Sequence, residues 1–164
     1  MSSLYRVTVG SDHLVFCAAH FITWREGECE PIHGHNWRVR AIVEGPLDQN
    51  HYVVDFIGLR DTLRCLLAEL DHRVLLPTQH AEIRVTGDEK EITATFRDRR
   101  WVFPKGECAL LPVPNTTAEM IAGYLAQRLR EVLERLAPQI VRLEVQVDEC
   151  EGQTGICVLE CDQA

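Results

Sequence analysis

Apolar and polar residues alternate along residues 5–21 as on a long strand, with a bend expected at Gly10-Ser11-Asp12. They alternate again along 35–44, where Trp37, Val39, Ala41 and Val43 share one face. His33 and His35 have the parity of that apolar face, which puts them on the covered side of a sheet. Residues 22–32, carrying Gly27 and Pro31, read as a loop. After Gly45-Pro46 the period changes: Phe56, Leu59, Leu63, Leu66, Leu67 and Leu70 form one helical stripe, opened by Asp55 and lost at Leu70-Asp71-His72-Arg73. Residues 80–113 suggest short strands joined by tight turns, with Ile83, Val85, Ile92, Ala94, Phe96, Trp101 and Phe103 punctuated by Gly87-Asp88 and Arg97-Asp98. Thr116-x-x-Glu119 is a capping-box pattern for a second helix. That helix turns Ile121, Tyr124, Leu125, Leu129, Val132, Leu133 and Leu136 inward and stops before Pro138. Residues 140–149 alternate once more, with Val141, Leu143, Val145 and Val147 on one face, and a last strand is expected near 155–161. Strands at both ends with helices between them indicate an α+β domain, its helices on one face of a mostly antiparallel sheet.

Composition narrows the function classes. The 164 residues, with no shift that marks a linker, fit a single domain over 1–164, and the excursion at about 78–112 reads as an insertion within it. A 46% hydrophobic and 26% charged chain is globular in character, and no apolar run approaches the ~18–20 residues that span a bilayer. Met1-Ser2-Ser3-Leu4-Tyr5-Arg6 lacks the basic-then-apolar pattern of a signal peptide, so the cytoplasm is the expected compartment. A net charge of −8, from 17 basic and 25 acidic side chains, argues against a nucleic-acid surface and for a small ligand. If that ligand is anionic, Arg38, Arg40, Arg73, Arg99, Arg100 and Lys105 are its candidate partners, and sequence does not rank them. Seven cysteines without a Cys-x-x-Cys pair suggest neither a disulfide framework nor a cysteine-rich zinc finger.

The chemistry gathers around Cys29-Glu30-Pro31-Ile32-His33-Gly34-His35 and His20. Residues two apart on a strand point the same way, so His33 and His35 can present two imidazoles to one point, with His20 as the third ligand of a zinc site that keeps an open position. Alternate histidines also occur on half-buried faces with ordinary hydrogen bonds. A second alternative, a closed structural zinc site using Cys17 with the three histidines, is opposed by parity: Cys17 and His20 are three apart and point to opposite faces. Cys29, in a charged, glycine-bearing loop, has no obvious packing role and could reach a metal-bound substrate. Glu149 continues the apolar parity of its strand, so it either frays into solvent or receives hydrogen bonds from a ligand. Asp71-His72 at the helix end could be a C-terminal cap.

Ala18-Ala19-His20-Phe21, Cys29-x-x-x-His33-Gly34-His35-Asn36, Val54-Asp55-Phe56, Leu70-Asp71-His72, Asn115-Thr116-Thr117-Ala118-Glu119 and Val147-Asp148-Glu149 stand in the order seen in the 6-pyruvoyl-tetrahydropterin synthase family. The Cys-x-x-x-His-Gly-His spacing resembles its bacterial branch, the 6-carboxy-tetrahydropterin synthases of queuosine biosynthesis. The resemblance implies the tunnelling fold, a four-stranded antiparallel sheet with two helices on one face, whose subunits join sheets in a ring, commonly a hexamer. It implies a zinc-dependent lyase acting on 7,8-dihydroneopterin triphosphate. His20, His33 and His35 would bind Zn²⁺, Cys29 would be the general base, and Asp71 with His72 of a neighbouring subunit would assist proton transfer. Glu149 would anchor the pterin ring. A 6-pyruvoyl-tetrahydropterin synthase, a dihydropterin side-chain aldolase and a non-catalytic pterin-binding protein are the other readings. This chain departs from the family pattern in three places. Arg73-Val74-Leu75-Leu76 follows Leu-Asp-His where asparagine is usual, Cys150 stands where threonine is common, and residues 78–112 fall outside the resemblance.

Overall fold

The computed structural model describes residues 3–25 and 27–161, with the backbone alone at Ser11 and Asp12; Met1 and Ser2, at the start of the N-terminal stretch read above, lie outside the described residues. The elements run β1 (Tyr5–His20), β2 (Thr23–Trp24), β3 (Glu28–Cys29), β4 (His33–Gly45), α1 (Phe56–Ala68), β5 (Arg73–Pro77), β6 (Arg84–Gly87), β7 (Glu91–Phe96), β8 (Arg99–Pro104), β9 (Cys108–Leu111), α2 (Ala118–Leu136), β10 (Arg142–Cys150) and β11 (Gln153–Glu160).

Four long strands, in the order β11-β10-β4-β1, form the expected antiparallel sheet. The alternation read from the sequence sets its register: Val7, Val43 and Leu143 lie side by side, as do Val9, Ala41 and Val145. All six belong to one buried cluster with Leu59 and Leu63 of α1 and Ile121, Leu125 and Leu129 of α2, so both helices cover the same face. The ladder between β1 and β4 slips between Gly10 and Val15, where the bend was expected.

The sheet has six strands rather than four. β5 and β9 extend it beyond β1, both in parallel. The chain leaves α1 directly alongside the free edge of β1, where the His72 N–H donates to the Cys17 carbonyl at 2.6 Å. The unusual Arg73-Val74-Leu75-Leu76 is therefore the sequence of a strand, with Leu75 and Leu76 fully buried. Between β5 and β9 the insertion folds as a three-stranded antiparallel meander, β6-β7-β8. Its Ile83, Ile92, Ala94 and Phe96 close a second small core over Phe21 and Leu76. The loop expected at 22–32 contains a two-residue hairpin, β2 against β3, that pairs Thr23 with Cys29.

Helix ends show where packing overrides pattern. Asp55 caps α1, its carboxylate accepting from the N–H groups of Ile57 and Gly58 at 3.2 and 2.8 Å. Phe56 and Leu136, counted on the inward stripes, are exposed, because each lies in a terminal turn beyond the reach of the sheet. The cap of α2 is Thr117 rather than Thr116, since the Thr116 hydroxyl is committed to the carbonyl of Phe21 at 3.0 Å. Among the described residues no helix is long and apolar enough to cross a membrane.

Candidate metal centre

His20 ends β1 and His33 begins β4, and the two are direct partners across the ladder. His35 lies two residues along β4 on the same face. The three ring centroids are 4.6, 4.9 and 5.3 Å apart. Trp37, fully buried, stands edge-on beneath His20 and His35 and keeps that end of the group dry. Glu149, near the end of β10, brings a carboxylate to the same point, and one ligand atom from each of the four residues lies within 4.8 Å of all the others. The strand parity that placed two histidines on the covered face thus brings all three together with Glu149.

The second ring nitrogens fix which atoms face inward. His20 Nδ1 donates to the carbonyl of Thr116 at 2.8 Å, and His33 Nδ1 donates to the carbonyl of Pro31 at 2.9 Å. A carbonyl only accepts, so each bond turns Nε2 toward the group. Burial holds the His20 imidazole down to about pKa 4, the Thr116 bond opposing it only in part. At neutral pH, His20 Nε2 is therefore a lone pair. It faces a carboxylate oxygen of Glu149 at 3.0 Å, and His35 Nε2 faces the same oxygen at 3.3 Å. These contacts have the distance of hydrogen bonds without the geometry, and both nitrogens are buried with no hydrogen-bond partner. A lone pair and a carboxylate aimed at one another in a dry place repel unless a cation stands between them. Three imidazoles at one point, with a carboxylate beside them, suit a divalent transition metal such as zinc.

Cys29 is not among these four. It sits in β3, half-buried against the second core, with its Sγ 3.5 Å from the Glu30 carbonyl. Burial pushes its thiol upward, and the nearby Arg99 guanidinium opposes the shift. Asp71 and His72 are also elsewhere, at the edge of β1. Asp71 accepts from the Cys17 N–H at 2.7 Å through one oxygen and lies 3.0 Å from His72 Nδ1 through the other. The Cys17 N–H holds the Asp71 carboxyl below its ordinary value, against a smaller opposing effect of burial and with help from His72. The two side chains do touch; the cap of α1 is Glu69, and beyond it the Asp71 N–H donates to the Leu67 carbonyl of the last turn at 3.0 Å. Cys17 itself is exposed and outside the histidine group, which removes the closed structural zinc site. Two participants were not singled out from the sequence as site residues. Thr116, a buried polar residue within the Asn115-Thr116-Thr117 stretch, orients His20; Glu30 places a carboxylate oxygen 3.8 Å from His33 Nε2.

Known proteins share this arrangement of sequence. A family model described as 6-pyruvoyl tetrahydropterin synthase matches residues 11–160. A Methanocaldococcus jannaschii protein assigned as a 6-carboxy-5,6,7,8-tetrahydropterin synthase is 31% identical over 146 residues, 88% of each chain. The Haemophilus influenzae 6-carboxy-5,6,7,8-tetrahydropterin synthase is 27% identical over 149 residues, 87% of this chain and 96% of that one. The crystal structure of 6-pyruvoyl tetrahydropterin synthase from Plasmodium vivax superposes with a TM-score of 0.89 at 28% identity, covering 96% of this chain and 99% of that one. With its family match spanning nearly the whole chain, this protein belongs to the 6-pyruvoyl tetrahydropterin synthase family.

Proposed function

We propose that this chain is a zinc-dependent lyase that converts 7,8-dihydroneopterin triphosphate to 6-carboxy-tetrahydropterin, a queuosine-type reaction of the cytoplasm. The observation that carries the reading is the pair of buried, unpartnered imidazole nitrogens of His20 and His35 converging with His33 and Glu149. The curated relatives matched over most of their length are named as 6-carboxy-5,6,7,8-tetrahydropterin synthases.

His20, His33 and His35 would hold the zinc. Bound there, it would stabilise negative charge on a substrate side-chain oxygen and so acidify the neighbouring carbon. The chain's own groups do the rest. Cys29 is the base that removes the side-chain proton, from a hairpin that enters β4 just before His33. Asp71 orients His72 through their direct contact, and the exposed His72 imidazole carries a proton to or from a site on a neighbouring subunit. Glu149 accepts hydrogen bonds from the pterin ring nitrogens. The polar cavity beside it, lined by Ile22, Thr117, Glu119, Gln153 and Thr154, has about 500 Å³ for the ring to enter.

A second reading, formation of 6-pyruvoyl-tetrahydropterin, draws on the likeness to the Plasmodium vivax structure. One assay separates them: zinc-loaded protein is incubated with 7,8-dihydroneopterin triphosphate and the products are identified by mass spectrometry. The expected result is 6-carboxy-tetrahydropterin with acetaldehyde. A 6-pyruvoyl product would replace the first reading with the second, and absence of turnover with zinc bound would leave a pterin-binding protein.

A further inference from the structure

The insertion reaches the hairpin that carries Cys29. At the start of β8, Arg99 Nη1 donates to the Cys29 carbonyl at 2.6 Å and lies 3.3 Å from the Glu30 carbonyl. Its guanidinium rests over the Trp101 ring, 5.0 Å from the centroid. Trp101 in turn stacks on Phe21 at 4.4 Å, and Phe21 directly follows His20. Arg97, on the other side of the same turn, reaches Gly27, where its guanidinium fills the space that a Cβ would need. Two arginines from one turn thus straddle the hairpin, and an aromatic stack ties that turn to the strand of the histidine group. An exposed surface arginine would have no such set of partners; this one is half-buried and its contacts are to backbone atoms of the candidate base.

We propose that Arg99 is the positioning residue for Cys29: the meander exists to bring one guanidinium against the Cys29 and Glu30 carbonyls, fixing where the thiol stands relative to the histidine group. The inference rests on the reading of Cys29 as the base. Both bonds leave one nitrogen, Nη1, which is aimed by the guanidinium plane lying over Trp101, a stacking that a compact ammonium does not reproduce. Among the described residues, Arg99 and Glu30 are the charged groups that act on the thiol, and they act in opposite directions.

The test uses Arg99→Gln and Arg99→Lys in the full-length, zinc-loaded protein. Two readouts are taken: kcat and KM with 7,8-dihydroneopterin triphosphate, and the pH dependence of iodoacetamide alkylation, resolved at Cys29 by peptide mass spectrometry. For Arg99→Gln the expected result is a kcat lowered about tenfold with little change in KM, together with an alkylation midpoint moved to higher pH. Arg99→Lys should keep the midpoint near the parent value yet lose about threefold in kcat, because the charge remains and the stacking on Trp101 that aims the donor does not. Unchanged kcat and midpoint in Arg99→Gln would overturn the proposal. If Arg99→Gln loses the near-ultraviolet signal of Trp101, the lysine variant decides, and a kcat equal to the parent's would overturn it. If the parent turns over no pterin while the Cys29 midpoint still moves, the role of Cys29 as base fails and the hold of Arg99 on the thiol stands.

Discussion

At the residue scale, the chemistry of the centre is decided by bonds made on its far side. The Thr116 and Pro31 carbonyls choose the tautomers of His20 and His33 and aim both Nε2 atoms inward. His33→Ala should therefore abolish stoichiometric zinc, while Cys17→Ser, on the other face of β1, should retain it; metal analysis of the two purified variants checks both. Glu149 is the subtler position, since its carboxylate touches two of the imidazoles and also borders the cavity. Glu149→Gln is expected to keep zinc and raise KM about tenfold or more, the loss of a charge-assisted bond to the pterin. Zinc lost from that variant would make Glu149 a ligand instead. Asp71 supplies a pH dependence. Its carboxyl is held below the ordinary 3.8 mainly by the Cys17 N–H. The stability from that bond is complete above the unfolded value and is lost as pH falls through the lower folded one. The stability difference between the parent and Asp71→Asn, followed by urea titration, should shrink as pH is lowered from about 5 toward 2.

At the scale of elements, strands with one covered face were the most legible part of the chain. Parity alone put His33 and His35 inward and Cys17 on the face opposite His20, because a slip of one residue would have exposed Trp37, Val39 and Ala41 together. The meander was legible as strands and turns, yet its purpose was not. Arg99 could be named only as one of six basic candidates for an anionic ligand, and it meets two backbone carbonyls whose positions no local pattern encodes. β5 and β9 were hidden for a related reason: each is short, and parallel pairing joins segments separated by the whole insertion. Thr116 misled at the cap of α2 because a long-range bond to Phe21 outbid the local one. A further long-range demand is made by Gly155, where β11 crosses the start of α2. A Cβ there would collide with the Ala118 carbonyl carbon and the Glu119 nitrogen, backbone atoms that have no flexible end to move. Gly155→Ala should cost about 1–3 kcal/mol in urea unfolding, by pushing the sheet off the helix. It should also raise KM, since this junction lines the cavity beside Glu149. A loss of stability without any change in KM would separate the junction from the binding site.

At the scale of the whole molecule, the residues proposed for one reaction do not meet within one chain. The histidine group lies at the β1/β4 end, while Asp71 and His72 stand on the β1/β5 edge with His72 largely exposed. Among the described residues the sheet also ends in two unpaired edges, β9 and β11, and β11 leaves Ile156 and Val158 partly exposed. Exposed apolar edge strands invite pairing with another chain, and a ring of subunits joined through their sheets would supply it. Such a ring would let His72 of one subunit serve the centre of the next. The consequence is testable by complementation. His33→Ala and His72→Ala should each be nearly inactive alone, the first without zinc and the second with it. Unfolded together and refolded as a mixture, they should recover roughly a quarter of the parent activity. A shared site is complete only when a His72→Ala chain gives the histidines and a His33→Ala chain gives His72, each with an even chance under random assembly. Recovery should follow the mixing ratio and vanish when the two variants are refolded separately and then combined under conditions where subunits do not exchange. If the mixture stays inactive while size-exclusion chromatography shows mixed oligomers, His72 acts within its own chain, and the edge on which it stands has to move toward the metal centre during turnover.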